Sequence, residues 1–216
     1  METVNDRPRL FGAPYSVYVR IVRLVLAEKG VAYDLVPVDI FADGGPPADH
    51  LLRHPFGKIP AFAHDGFTLY ETGAIARYVD EAFPGPRLQP TGIRERARCN
   101  QLIGIADSYA YPDLVWGVYV ERVSKPARGV AADEARVASA LERSRTCLAA
   151  ITNLKGKRDW LAGDDLSLAD LYLAPMLDYF LMAREGPDML GAYPGLADWW
   201  RRIASRPSMR ETAYPA

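Results

Sequence analysis

The spacing of apolar positions changes repeatedly along the chain, and each change marks an element. Residues 8–11 predict a short strand, closed at once by Gly12, Ala13 and Pro14. In the segment that follows, Val17, Ile21, Leu24 and Val25 recur at helical spacing, and Gly30 supplies a stop. Residues 33–40 predict a strand whose Pro37 has no N–H for a ladder, which places it at a sheet edge. A short helix is expected over 48–52. Residues 61–63 and 67–70 flank His64, Asp65 and Gly66 as strand, tight turn and strand. A helix over 72–83 sets Ile75, Tyr78 and Val79 on one side. A strand–helix–strand unit calls for parallel strands, and a tight turn forces an antiparallel pair. The order β-α-β-α-β-β-α therefore predicts a small mixed four-stranded sheet with helices on its faces.

Residues 84–90, PGPRLQP, make a stiff, non-helical joint from Pro84, Gly85, Pro86 and Pro90. Beyond it no strand pattern appears. Helices are expected over 92–123, 131–154, 167–184 and 196–205, the first long and bent, the third kinked at Pro175. Ser167 and Asp170 have the spacing of a capping box, with Leu166 and Leu171 at the staple positions, so local chemistry sets the start of that third helix. The domain reading is an α/β domain over 1–83, a linker over 84–90 and an all-helical domain over 91–216.

Composition narrows the function classes. The 216 residues are 49% hydrophobic and 25% charged, and Lys+Arg 26 against Asp+Glu 27 gives 26 − 27 = −1. A phosphate-backbone partner calls for a basic excess, so no nucleic acid is expected. No apolar run reaches membrane-spanning length, and METVNDRPRL lacks a basic patch followed by an apolar stretch. Both point to the cytoplasm. Cys99 and Cys147 both fall in helical stretches, read as reduced helix residues rather than a disulfide or metal site. His50, His54 and His64 have no metal-like spacing and are read as surface or loop residues.

Several constellations could carry chemistry. Ser16 follows a strand end and opens a helix. As an N-cap it needs no function; as a functional group its hydroxyl would donate to an anion, and a thiolate held there would be favoured over its thiol. Tyr15 is the competing donor. Ile59-Pro60 stands where a loop enters a strand. X–Pro bonds are trans by default, but a cis bond here would turn the Ile59 backbone N–H and C=O toward a bound peptide. Thr72 reads as the N-cap of the 72–83 helix. A helix start also collects unpaired N–H groups that suit a carboxylate, and Glu71 beside it could take an ammonium. Tyr109, Tyr111, Trp116 and Tyr119 are helix-packing aromatics, some of which could line an apolar pocket.

Taken together, GAPYSVYVR, RHPFGKIPAF, LYETGAIARYV and LSLADLYLAP resemble the cytosolic glutathione transferases, nearest to the serine-type theta and phi classes. The resemblance implies a thioredoxin-like domain followed by a helical domain, a cis proline at Pro60, and glutathione as co-substrate with no metal. It places the catalytic serine on Ser16, with Arg20 four residues on, and the glutamyl contacts on Glu71 and Thr72. The backbone contact for the cysteinyl part falls on Ile59, and a polar contact falls on Lys58. The basic residues expected before the second helix are replaced by Asp43-Gly44-Gly45-Pro46-Pro47, which leaves His50, Lys58 or a loosely held glycine end as alternatives. The implied activity is conjugation of the glutathione thiolate to a small apolar electrophile, a detoxification chemistry. The electrophile pocket would be built from both domains, with Tyr15, Tyr109, Trp116 and Tyr119 as candidates. Phe56, in a Pro-Gly-flanked loop, sits where several classes insert an aromatic into a partner subunit, which implies a homodimer. Two other readings stand beside this one. Thiol–disulfide exchange is disfavoured because no cysteine lies near Tyr15 or Ser16. A non-catalytic interaction domain, as in the gamma subunit of elongation factor 1, shares the GKIPAF and YETGAIA stretches.

Overall fold

The computed structural model describes residues 7–214; the first six residues, read above as lacking a leader, and the last two lie outside them. The described residues form two compact units. One holds the chain up to Arg87 together with the residues from Pro207 on, and the other runs from Leu88 to Arg206.

The first unit contains β1 (Arg9–Gly12), α1 (Val17–Glu28), β2 (Asp34–Pro37), α2 (Ala48–Leu51), β3 (Ala61–His64), β4 (Phe67–Tyr70) and α3 (Thr72–Ala82). The sheet order is β2-β1-β3-β4. β1 runs parallel to β2 and antiparallel to β3, and β3 is antiparallel to β4. Pro37 thus lies in an edge strand, where its missing donor does no harm. β2 is shorter than expected because the Val38 N–H makes the last bond to β1, at the Gly12 carbonyl. The helical spacing read for α1 is its buried face: Ile21, Leu24 and Val25 are fully buried, and Ile75 and Val79 of α3 join them. Lys29 is buried against Asp80, at 3.2 Å, and also donates to the Asp80 and Pro86 carbonyls. A buried cation needs such partners, because isolation would cost several kcal/mol.

In the second unit α4 (Ile93–Ile105) continues into wide turns over Ala106–Ser124 and ends in an ordinary turn, Lys125–Ala127. The Lys125 N–H at the end of the wide stretch donates to Val120, five residues back. Pro112 lies inside it and has no N–H to give. The helix expected over 92–123 is therefore present with a change of helix type along it. α5 (Glu134–Lys155) packs so closely here that a Cβ on Gly117 would collide with the Cβ of Ala140. α6 (Leu168–Leu181) runs unbroken across Pro175, and α8 (Pro194–Ala204) follows the short α7 (Gly186–Gly191). Asp170 is fully buried and closes the expected box, accepting from Ser167 N and Oγ.

Two helices escaped the pattern reading, α7 and α9 (Pro207–Glu211), each too short to show a period. The domain assignment also differs at the end of the chain. The residues after 206 group with the first unit because α1 holds them. Arg20 donates to the Met209 carbonyl and Thr212 Oγ1, and Arg23 donates to the Glu211 and Thr212 carbonyls.

Candidate active site

The sheet register brings three chain turns together. Phe11 pairs with Ala61, and Ala61 pairs with Tyr70, so these residues form one row across β1, β3 and β4. Neighbouring strands lie about 4.8 Å apart, so the row spans roughly 10 Å, the scale of a short peptide. From one end of it β1 leaves toward Ser16, β3 is entered through Ile59-Pro60, and β4 leaves into Glu71-Thr72. Residues far apart in sequence thus frame one edge of the first unit.

Ser16 is the N-cap of α1, half-buried, with extended backbone angles. Its Oγ accepts from the Val19 N–H at 3.4 Å, which leaves the hydroxyl proton for a second partner. The first N–H groups of the helix and the dipole favour that partner being an anion. Tyr15 is partly exposed, its ring stacked on Phe41 at 6.3 Å and edge-on to Tyr214 at 6.3 Å. Burial, then the charge of Asp39, hold its hydroxyl above the ordinary tyrosine value.

The Ile59-Pro60 peptide bond is cis. Ile59 and Pro60 are buried, and Lys58 is exposed. Glu71 adopts φ 71 and ψ 113, a sparsely populated region for a residue with a side chain, while its side chain stays exposed. Such a conformation costs about 1–3 kcal/mol and is characteristic of functional sites. Glu71, and not Thr72, occupies the cap position of α3. The reading of Thr72 as N-cap is corrected by one residue, because the strained turn at Glu71 already starts the helix. Thr72 is its buried first residue.

The histidines are a second correction. His50 and His54 are 1% and 3% exposed, and His64 bonds Tyr78 Oη through Nδ1 at 2.9 Å. His50 in α2 and His64 at the end of β3 are not the surface or loop residues expected, and His54 lies in a loop as expected but buried. His50 turns Nε2 to the Lys58 carbonyl at 2.7 Å, so it serves the loop rather than offering a ring to a ligand carboxylate. Phe56 is 69% exposed in that loop, edge-on to His54 and Tyr70.

In the second unit Tyr109 and Trp116 are exposed, and Tyr119 packs on Tyr179 with centroids 4.5 Å apart. Tyr111 meets Trp116 edge-on at 6.4 Å. Cys99 and Cys147 are buried and form no disulfide, and burial pushes the Cys147 thiol up to about 12. It is inert at neutral pH. Among the described residues no His, Cys, Asp and Glu group could hold a metal, and no helix is long and apolar enough to cross a membrane. Sequence reasoning missed Phe41 and Tyr214, and it gave His54 no role. The only sequence signal was an apolar or aromatic residue in a loop or near the end of the chain.

Comparison with known proteins gives consistent matches. A family model described as glutathione S-transferase, N-terminal domain, matches residues 10–87, and one described as glutathione S-transferase, C-terminal domain, matches residues 103–207. A probable glutathione S-transferase GSTF1 of Oryza sativa subsp. japonica is 30% identical over 209 residues, 95% of this chain and 94% of that one. A glutathione S-transferase III solved in apo form has a TM-score of 0.86 at 29% identity, covering 97% of this chain and 99% of its own. A maize glutathione S-transferase I, solved with an atrazine glutathione conjugate, has a TM-score of 0.83 at 29% identity, covering 95% and 96%.

Proposed function

The chain belongs to the glutathione S-transferase family, on its serine-type, phi-like side, and from that premise we propose that it conjugates the glutathione thiolate to a small apolar electrophile. The observation that carries the reading is the register row Phe11–Ala61–Tyr70, which sets Ser16, Ile59-Pro60 and Glu71-Thr72 around one edge. Glutathione lies along that edge. Glu71 and the first N–H groups of α3 take the zwitterionic glutamyl end, and the Ile59 backbone pairs with the cysteinyl part beside Pro60. The Lys58 ammonium faces the glycine carboxylate. The gamma subunit of elongation factor 1 is the weaker alternative, because the matching full-length relatives carry transferase names.

Ser16 activates the thiol. A free thiol ionises near pH 8.5, and only its thiolate attacks. A hydrogen bond to a charged acceptor is worth about 1.5–3 kcal/mol, and one pKa unit about 1.36, so the Ser16 hydroxyl lowers the bound thiol by about 1–2 units. No general base is needed, because the proton leaves to water. Tyr15 is the poorer candidate, since its ring is held in an aromatic stack and its hydroxyl is raised. On the electrophile side the proposed contact is Tyr15, next to Ser16 in the chain. Phe56 is the proposed contact of a homodimer, and two buried cysteines outside any disulfide suit a reducing cytoplasm. The test is the pH profile of conjugation with an aryl halide. Ser16→Ala raises the apparent thiol pKa by about 1–2 units. An unchanged profile in Ser16→Ala, with a raised one in Tyr15→Phe, would transfer the role to Tyr15.

A further inference from the structure

Two buried histidines stand beneath the loop that carries the proposed glutathione contacts. His50 lies in the single turn of α2, and its carbonyl accepts from the N–H groups of Arg53 and His54. The His54 carbonyl in turn accepts from the Gly57 N–H. The loop is thus folded back on the first histidine before it reaches Lys58. There the His50 ring, 1% exposed, meets the Lys58 carbonyl through Nε2 at 2.7 Å. A carbonyl only accepts, so Nε2 carries the proton, and in the neutral ring Nδ1 is a bare acceptor. That Nδ1 is buried with no partner among the described residues. The His50 side chain therefore has one polar engagement, and it is with the backbone of the loop.

The position of that engagement matters. The Lys58 carbonyl and the Ile59 N–H belong to one peptide plane, and in a trans peptide they point in opposite directions. Fixing the carbonyl from the protein side aims the N–H of Ile59 to the other side. His54 supports the same geometry from its own side. Its ring lies 6.2 Å from that of His50 and 4.9 Å from that of Tyr70, the residue before Glu71. Burial, opposed by the charge of Glu71, holds His54 below its ordinary value. The charged groups that act on it are Glu71 and Lys58, with His50 as the neighbouring titratable ring.

We infer that His50 is a positioning residue for glutathione: its Nε2–H holds the Lys58–Ile59 peptide plane so that the Ile59 N–H is presented to the ligand before it binds. This rests on the proposed function and assigns His50 an indirect role in it. Preorganising the plane means that binding does not have to order it.

The test is binding of S-methylglutathione, which has no thiol to titrate, by calorimetry at pH 7, together with KM values for glutathione and for the aryl halide. His50→Leu removes the donor and keeps most of the volume. Its dissociation constant for S-methylglutathione and its glutathione KM rise roughly tenfold, the worth of one net hydrogen bond, while the aryl halide KM stays within twofold. His50→Gln retains an amide N–H and recovers most of the affinity. A purely structural role would lower the unfolding midpoint of both variants without separating their affinities. If His50→Leu fails to fold, His50→Asn takes its place with the same expectation, being too short to reach the Lys58 carbonyl. Wild-type affinity in a folded donor-less variant overturns the inference, as does a Gln variant as weak as the Leu variant. Failure of the wild-type protein to bind S-methylglutathione overturns the proposed function instead.

Discussion

Asp170→Asn is a severe test of how the second unit is held together. The carboxylate is fully buried and accepts four bonds. Oδ1 takes the Leu161 N–H and the Trp199 Nε1–H, each at 2.8 Å, and Oδ2 takes the Ser167 N–H at 2.8 Å and the Ser167 hydroxyl at 2.7 Å. All four partners donate. Asparagine keeps one oxygen and turns an NH2 toward the other pair: toward Leu161 and Trp199 it meets two N–H donors, and toward Ser167 it meets the backbone N–H and a hydroxyl that can turn to accept. At least one bond to a charged acceptor, worth about 1.5–3 kcal/mol, is lost, and the remaining ones weaken because the acceptor is no longer charged. Against this, the neutral amide escapes the burial penalty that pushes the Asp170 carboxyl above its ordinary value. The net loss is about 3–5 kcal/mol, the range for breaking a buried charged network. At about 2–4 °C per kcal/mol for a chain of this size, the unfolding midpoint falls on the order of 10 °C. Urea denaturation followed by tryptophan fluorescence measures it. Trp199→Phe removes one donor from the same oxygen, so the double variant should fall short of the sum by about 1–3 kcal/mol. A loss below about 1 kcal/mol in Asp170→Asn, with an unchanged denaturant slope, would refute the idea that this carboxylate ties the Leu161 loop, the start of α6 and α8.

Three further outcomes are expected. Glu71→Gly should be more stable than Glu71→Ala by about 1 kcal/mol, because only glycine relieves the positive φ, while both weaken glutathione binding; equal melting temperatures would remove the strain. Gly117→Ala should destabilise by about 1–3 kcal/mol, and Ala140→Gly in the same chain should recover most of it; no recovery in chemical denaturation would mean that the two helices do not meet there. Phe56→Ala should weaken the proposed dimer at least about 100-fold by sedimentation, since a two-fold interface buries the ring twice at about 1.5–3 kcal/mol each; a dimer as tight as before would release Phe56 from that role.

Much of the architecture is local and could be read without coordinates. The apolar repeat of Val17, Ile21, Leu24 and Val25 is the buried stripe of α1, and Ser167 with Asp170 marks the start of α6. The tight turn at Asp65 and Gly66 sets the antiparallel β3–β4 pair. These features depend on residues within a few positions of one another, where period, caps and turn chemistry act directly. The order of elements and the linker follow from them, and the transferase family shows in motifs that sit on those same elements.

Other features depend on residues that meet only when the chain is folded. His50 and His54 carry nothing in their spacing that distinguishes a surface pair from a buried one. Their burial follows from the loop turning back on the His50 carbonyl. Tyr214 reaches Tyr15 because Arg20 and Arg23 of α1 hold the carbonyls of residues 209–212. An ordinary helical period does not give the phase of the aromatics between Tyr109 and Tyr119, because the turns there are wide. The sequence by itself determined which elements form and in what order, since their signals are short-range and periodic. Which side chains meet at the edge framed by Ser16, Ile59-Pro60 and Glu71-Thr72 was decided by the tertiary structure, because sheet register and buried hydrogen bonds join residues that no local pattern connects.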